Sequence, residues 1–419
     1  MKKQVLTPIL ILLCLIIATS LVILYGKGYR LAFNKDLPKI SKTGILVANS
    51  TPNGAQVFID NHLTTATDNT INLSPGTYDI KIQKEGYFPW EKKIKIDEEV
   101  VSKAEARLFP VAPMLASIAT TSVVNPILDP SGTKIAFQIA SESAVHKNGI
   151  YVLNMTANNI SVPILTLQSS STQIADDTTA FFSRAKLKWS PDGTQILADI
   201  ASSADNSTTN YLLKADSLND TPQDVTAVLQ STQDTWNQQK LEKNRSLVTG
   251  FKDNMRQLIN NNFSIIAWSP DETKILYQAS TSAQLPFMIQ PRRIGIDTLT
   301  EVRQLTKNDI YVYDTKEDTN VRLPVKLSDS CQPQLTQGLD PFENCNVPVS
   351  WLSDSSHIIY VNDKKIIIMD DDGSNAITVY AGPFVDTFTA PWPDTSKIVI
   401  LTNFSNPDVP PTLYTIGLK

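Results

Sequence analysis

The stretch "DDDGSN" (Asp370 to Asn375) is the one place where oxygen donors crowd closely enough to suggest chemistry. Asp370, Asp372 and Asn375 could present hard ligands to a divalent cation, but the bidentate glutamate that closes a calcium loop does not follow. Asp-Gly is also a strong hairpin signal, so a turn is the plainer reading and a weak metal site the sharper one. His62, His146 and His357 stand apart from one another, without HExxH spacing, and read as ordinary surface or turn residues. No Gly-x-Ser-x-Gly elbow and no Gly-rich phosphate loop occurs, so no catalytic residue and no cofactor is expected. Asn-x-Ser/Thr sequons such as "NMT" at Asn154 and "NFS" at Asn403 are expected by chance in a chain this rich in Asn and Thr. Of three cysteines, Cys14 lies in an apolar run, while Cys331 and Cys345 flank the polar loop "DSCQPQLTQGLDPFENC". A disulfide between Cys331 and Cys345 would close a loop worth about 3 kcal/mol in chain entropy if the compartment is oxidising. Two free thiols are the alternative.

The elements that would position these residues are short strands. The chain has 419 residues, a formal charge of −5 and 19% charged residues, which gives no footprint for nucleic acid. Residues 1–4 form a basic tip with Lys2 and Lys3, and residues 5–25 are uncharged and long enough to span a bilayer as one helix. The exit "VILYGKGYR" is bulky, so an uncleaved anchor is expected rather than a cleaved signal. The two lysines favour a cytoplasmic N-terminus and an extracytoplasmic bulk, although Lys27 and Arg30 weaken the bias. Residues 26–43 read as a link.

From 44 to 110 the pattern alternates over four or five strands, separated by turns at Pro52 to Gly54, Asp60 and Asn61, Pro75 and Gly76, and Glu85 and Gly86. A small sandwich-like module is expected. "STPNGAQVFIDN" followed by "LSPGTYDIKIQKEGY" resembles the PEGA domain through Pro52, Gly54, Ala55, Val57, Ile59, Asp60, Leu73, Pro75, Gly76, Tyr78, Gly86 and Tyr87. Asn53 and Asn61 depart from it, standing where glutamate and glycine are usual, and Asn61 still tolerates positive φ. The resemblance implies an extracytoplasmic binding or spacing module without catalytic residues.

From 113 to 419 one phrase returns: "LDPSGTKIAF" at Leu128, "WSPDGTQILA" at Trp189, "WSPDETKILY" at Trp268, "WLSDSSHIIY" at Trp351 and "PWPDTSKIVI" at Pro391. Each reads as a strand closed by Trp189, Trp268 or Trp351, then a turn through Pro191 and Asp192, Pro270 and Asp271, Asp354 or Asp394, then an apolar strand. Recurrence of the aspartate argues for turn bonding, since an active site is built once. A period near 40 residues is the propeller range. The repeat resembles the TolB-type β-propeller, which implies an all-β fold of about six blades, five to seven being compatible. Five copies are visible, and the sixth would combine the first strand after Pro113 with chain from the opposite end or be degenerate. Residues 217–262 interrupt the repeat with helical spacing of Leu247, Val248, Phe251, Met255, Leu258 and Ile259. "STQD" at Ser231 supplies a capping box and Asn260 to Asn262 the stop. This insertion either packs on its own blade or docks a partner.

Together these features lead to the expectation of a membrane-tethered, non-enzymatic binding protein of the cell envelope whose propeller recognises a protein, peptide or glycan. The alternative is an accessory or substrate-gating propeller of a separate hydrolase, or a cryptic enzyme in the propeller funnel.

Overall fold

The computed structural model describes residues 2–26, 30–34, 37–118, 122–140, 148–156, 171–202, 207–296, 299–328, 331, 333, 342, 347–385, 387–406 and 408–419. Helix α1 runs from Lys2 to Gly26. Its side chains are described over residues 11–23, and among the described residues no helix is long and apolar enough to cross a membrane. The stretch expected to be a link carries a two-stranded antiparallel ladder, Arg30–Asn34 with Leu37–Ser41.

The chain divides into two compact units, residues 1–109 with 289–301, and residues 110–288 with 302–419. Besides that ladder, the first holds two sheets among the described residues. One has the order Asn69–Leu73, Gly44–Thr51, Val101–Arg107, and the other His62–Ala66, Gln56–Ile59, Gly76–Gln83, Trp90–Ile96. That makes seven strands where four or five are read from the sequence. The short exposed strands His62–Ala66 and Asn69–Leu73 alternate too weakly to stand out, and Val101–Arg107 buries only small residues on its inner face. Gly44–Thr51 runs parallel to Val101–Arg107, and the core between the sheets gathers Leu46, Val57, Ile80, Ile82, Trp90 and Ile94. The turn residues act locally. Asp60 (φ 47°) and Asn61 (φ 64°) reverse the chain in the left-handed region. Asp60 Oδ1 accepts the Asp79 N–H at 2.9 Å, and the Ala55 N–H donates to Thr67 Oγ1 at 2.9 Å. Gly54 and Gly86 also sit at positive φ, and Tyr87 packs against the core. A Cβ on Gly76 would touch the Tyr78 ring, which stands over the turn at Pro75 and donates its hydroxyl to Ser74 O.

The second unit contains five four-stranded antiparallel sheets among the described residues, four of them simple meanders in chain order, which is the blade topology of a β-propeller. Blade 1 is Val124–Leu128, Lys134–Ile139, Gly149–Asn154 and Ser171–Asp176; blade 2 is Lys186–Trp189, Gln195–Ala201, Thr208–Lys214 and Gln223–Asp224. Blade 3 is Phe263–Trp268, Lys274–Ala279, Ile310–Asp314 and Thr319–Arg322; blade 4 is Val349–Trp351, His357–Asn362, Lys365–Asp370 and Ile377–Ala381. Blade 5 takes Thr389–Pro391, Lys397–Thr402 and Thr412–Gly417, and its outermost strand is Leu115–Ser117 from the start of the unit. The first strand after Pro113 thus completes the fifth sheet and does not begin a sixth.

The packing between blades follows the two-residue period of the strands. On the second strand of each blade, one set of side chains meets the preceding blade: Ile135 and Phe137 meet blade 5, Ile196 and Ala198 meet blade 1, and Ile358 meets blade 3. The intervening set meets the next blade, Ala136 packing on blade 2 and Leu276 on blade 4. By this rule Leu197 should meet blade 3, and Ile275 and Tyr277 should meet blade 2. Instead Leu197 and Leu212 pack on Val225, Leu229 and Trp236, while Ile275, Tyr277 and Tyr313 pack with Val248, Met255 and Ile259. The helical insertion, α2 (Leu229–Thr249) and α3 (Asp253–Asn262), therefore covers the two faces that consecutive blades would otherwise give each other. Among the described residues the blades number five, at the lower end of the five to seven compatible with the repeat, and the insertion packs on two blades instead of one. The capping box is not used either. α2 starts after Val228 with no side-chain cap, two residues ahead of Ser231, because Leu229 and Trp236 must reach Leu197.

An excursion from blade 3 is anchored at its feet by a buried ion pair. Asp318 (2% exposed) accepts from Arg303 Nη1 at 3.0 Å, the Tyr313 hydroxyl at 2.9 Å and the Met288 N–H at 2.7 Å. With each carboxylate oxygen satisfied, the desolvation cost of the pair is offset locally.

Candidate functional site

The strand 1 to strand 2 turns repeat with little variation at one end of the blades. Asp129, Ser190, Ser269, Leu352 and Trp392 each donate their N–H five residues ahead, to Lys134, Gln195, Lys274, His357 and Lys397, at 2.9 Å. The fourth residue of the turn lies in the left-handed region in all five: Gly132, Gly193, Glu272, Ser355 and Thr395, with φ between 58° and 70°. The carboxylates of Asp192, Asp271, Asp354 and Asp394 accept the N–H two residues on at 2.8 to 3.2 Å, from Thr194, Thr273, Ser356 and Ser396. Blade 1 has Ser131 at that position, and Asp129 replaces the function by accepting from Thr133 and Lys134. Pro191 and Pro270 fix φ at the corner. Ser190 and Thr194 donors hold the Asp192 carboxyl below the usual range. At Asp271 and Asp394 partial burial opposes the same effect, and the Ser and Thr donors prevail.

This end also joins neighbouring blades. Trp189 Nε1 donates to Ile127 O of blade 1 at 3.3 Å, and Trp351 Nε1 reaches Ala267 O of blade 3 at 3.5 Å. The buried Trp268 Nε1 has no acceptor among the described residues, as expected where the insertion displaces blade 2 from blade 3. Lys134 Nζ donates to Gly193 O, and Lys274 Nζ to Ser355 O and the Asp371 carboxylate. Burial lowers the Lys274 pKa, but the carboxylates of Asp371, Asp314 and Asp271 together outweigh it, so the ammonium ends above its ordinary value.

"DDDGSN" serves the same end. Asp370 Oδ2 accepts from Asn375 Nδ2 at 2.9 Å, Asp372 Oδ1 accepts the Ser374 N–H at 2.9 Å, and Gly373 and Asn375 carry positive φ. No group of three or more His, Cys, Asp or Glu that could hold a metal occurs among the described residues. Asp371, which the sequence pattern does not single out, reaches Lys274 of blade 3. His357 corrects the surface reading: it is buried at 6%, with Nδ1 2.8 Å from Asp354 Oδ2 and Nε2 3.5 Å from Asp370 Oδ1. It occupies the lysine position of the repeat, which is half-buried in the other blades, and is held inward by Asp354 and Asp370. His62 is exposed, and His146 lies outside the described residues. Cys331 is 3% exposed, Cys345 lies outside the described residues, and Cys14 is free.

The opposite end of the blades does not repeat, and there a cleft of about 520 Å³ opens between blades 4 and 5. Three connections line it: the blade 4 hairpin at Asp363, Lys364 and Lys365, the crossover at Ala381 to Val385, and the blade 5 loop at Asn403 and Ser405. Asn362 pairs with Lys365 across a two-residue hairpin, which requires positive φ at Asp363 (48°) and Lys364 (57°). The crossover is fixed by Lys364 Nζ to Phe384 O at 3.3 Å, Thr402 Oγ1 to Pro383 O at 2.6 Å, and the Val385 N–H to Leu401 O at 2.8 Å. In the third connection, Phe404 has φ 52°, rare for an aromatic residue, held by its N–H on Thr402 Oγ1 at 2.9 Å. Its ring is 44% exposed and meets Tyr414 edge-on at 4.7 Å. Sequence reading missed this site because hairpin tips carry no periodic signal. The only trace was "NDKK", a polar break between two apolar strands. The lining offers ammonium donors, one carboxylate and an apolar wall, which is the chemistry of holding a ligand.

Residues 43–111 match the family model of the PEGA domain. A comparison with curated proteins finds no match. Among solved structures, the chain is similar to a protein described as TolB from Agrobacterium tumefaciens at 15% identity, covering 70% of this chain and 77% of that one, with a TM-score of 0.22. TolB from Acinetobacter baumannii matches at 14% identity over 82% of this chain and 60% of that one, with a TM-score of 0.23. The β-propeller domain of the Trilobed protease from Pyrococcus furiosus matches at 11% identity over 90% and 96%, with a TM-score of 0.21. Scores this low carry no argument, and the propeller assignment rests on strand order and register.

Proposed function

We propose that this chain is a membrane-tethered, extracytoplasmic binding protein of the cell envelope, with the PEGA domain as spacer and the propeller as recognition platform. The observation that supports it is the division of labour along the blades. One end repeats the same turn five times, and the other gathers non-repeating connections around an open cleft. A rigid frame that presents variable loops is an arrangement suited to recognition. Tethering is assigned to α1, whose 25 residues extend about 37 Å as a helix against a bilayer core of about 30 Å, and which is uncharged from Val5 to Tyr25. Lys2 and Lys3 favour the cytoplasmic side for its start. In the oxidising exterior a Cys331 to Cys345 disulfide would staple the loop before blade 4.

The test is protease added outside intact cells, followed by cross-linked recovery of the chain and its neighbours. The expected result is external cleavage of the propeller and a neighbour lost when Val385 is replaced by Arg. Resistance of the propeller while an external marker is cut would refute the topology. A stoichiometric hydrolase among the neighbours would favour an accessory propeller instead.

A further inference from the structure

We infer that the cleft between blades 4 and 5 binds an acidic peptide segment of a partner protein, one carboxylate side chain beside one apolar side chain. The inference rests on the binding-platform reading above and deepens it. Its volume of about 520 Å³ suits a few residues of extended chain. Charge sets the sign of the ligand, since the lining carries two lysines, Lys364 and Lys365, and one carboxylate, Asp363, in a chain with 37 basic and 42 acidic residues.

The wall sets the second requirement. Pro383, Phe384 and Val385 line one side, and Val385 is 37% exposed. A hydroxyl-rich glycan would meet this wall without matching it, and the Asn403 amide is already engaged on Asn406 O at 3.0 Å. A peptide supplies both a carboxylate for the ammonium groups and an apolar side chain for the wall.

The test uses the full chain in detergent micelles, labelled and applied to an array of random heptapeptides, with polygalacturonate as the anionic polysaccharide arm. The expected result is enrichment of peptides with Asp or Glu within two positions of Leu, Ile or Phe. Binding should fall about tenfold or more in Lys364→Glu/Lys365→Glu and weaken from 0.05 to 0.5 M salt. Asp192→Asn, at the other end of the blades, should bind as the parent does, and unaltered near-UV dichroism shows that each variant is folded. Absence of acidic enrichment, full binding by the double charge reversal, or retention of polygalacturonate in place of peptides overturns the inference. Recovery of a Val385-dependent neighbour on cells, with no acidic preference on the array, would leave the platform standing and remove the peptide.

Discussion

Replacing Trp236 by Ala probes the least expected feature of the fold, the helices that stand where two blades would meet. Trp236 is 6% exposed and packs with Leu197, Leu212 and Val225 on the open face of blade 2. Truncating a buried tryptophan costs about 3–5 kcal/mol. A unit of about 300 residues has an unfolding entropy near 0.6 kcal/mol/K, so the midpoint of its transition should fall by about 5–8 °C. Scanning calorimetry of the purified chain resolves the propeller transition. Glu242→Ala, on the exposed face of α2, should shift it by less than about 1 °C. Trp236→Phe should recover part of the loss. If Trp236→Ala moved the propeller transition no more than Glu242→Ala does, the covering role of α2 would be refuted.

The turn carboxylates give a pH prediction. Asp192, Asp271 and Asp394 are held below their ordinary range in the folded chain, so their stabilisation is complete above the unfolded value of about 3.9 and is lost as pH falls through the lower folded values. Acid titrations of the Asp192→Asn/Asp271→Asn/Asp394→Asn variant should show a shallower loss of stability below about pH 4. Lys274→Met should destabilise by about 2–4 kcal/mol, because it leaves the Asp371 carboxylate without its cation between blades 3 and 4. Asp371→Leu in the same chain should restore much of that loss, a coupling that urea titrations of the four-member cycle would measure. Cys331 and Cys345 should resist maleimide in the native, unreduced protein and react after reduction; labelling of both before reduction would remove the disulfide.

What could be read from the sequence was what repeats. The reversal at Pro191, Asp192 and Gly193 is local chemistry, so it and its four echoes predicted turns, strand starts and frame without knowledge of neighbours. The joining of the first strand after Pro113 to chain from the opposite end could be read as well, but not that it falls in the fifth sheet, because nothing local marks Thr412–Gly417 as the partner of Leu115–Ser117. The helices at 229–262 were visible as amphipathic spacing, but which sheets they cover depends on the unpartnered faces of Leu197 and Ile275. Asp371 and His357 were passed over in favour of Asp370 and Asp372. Their roles come from Lys274 on another blade and from Asp354 and Asp370 holding His357 inward, and neither is a matter of spacing. The cleft is assembled from three connections that share no motif, so its residues become a site only when the blades are stacked.

The central claim is that recognition occurs at the non-repeating end of a tethered propeller. It is tested most directly by quantitative recovery of cross-linked neighbours from intact cells expressing the parent chain, Val385→Arg or Asp192→Asn at equal levels. The account predicts one neighbour depleted by Val385→Arg and retained by Asp192→Asn. Equal recovery with both variants, or depletion by Asp192→Asn alone, would contradict it.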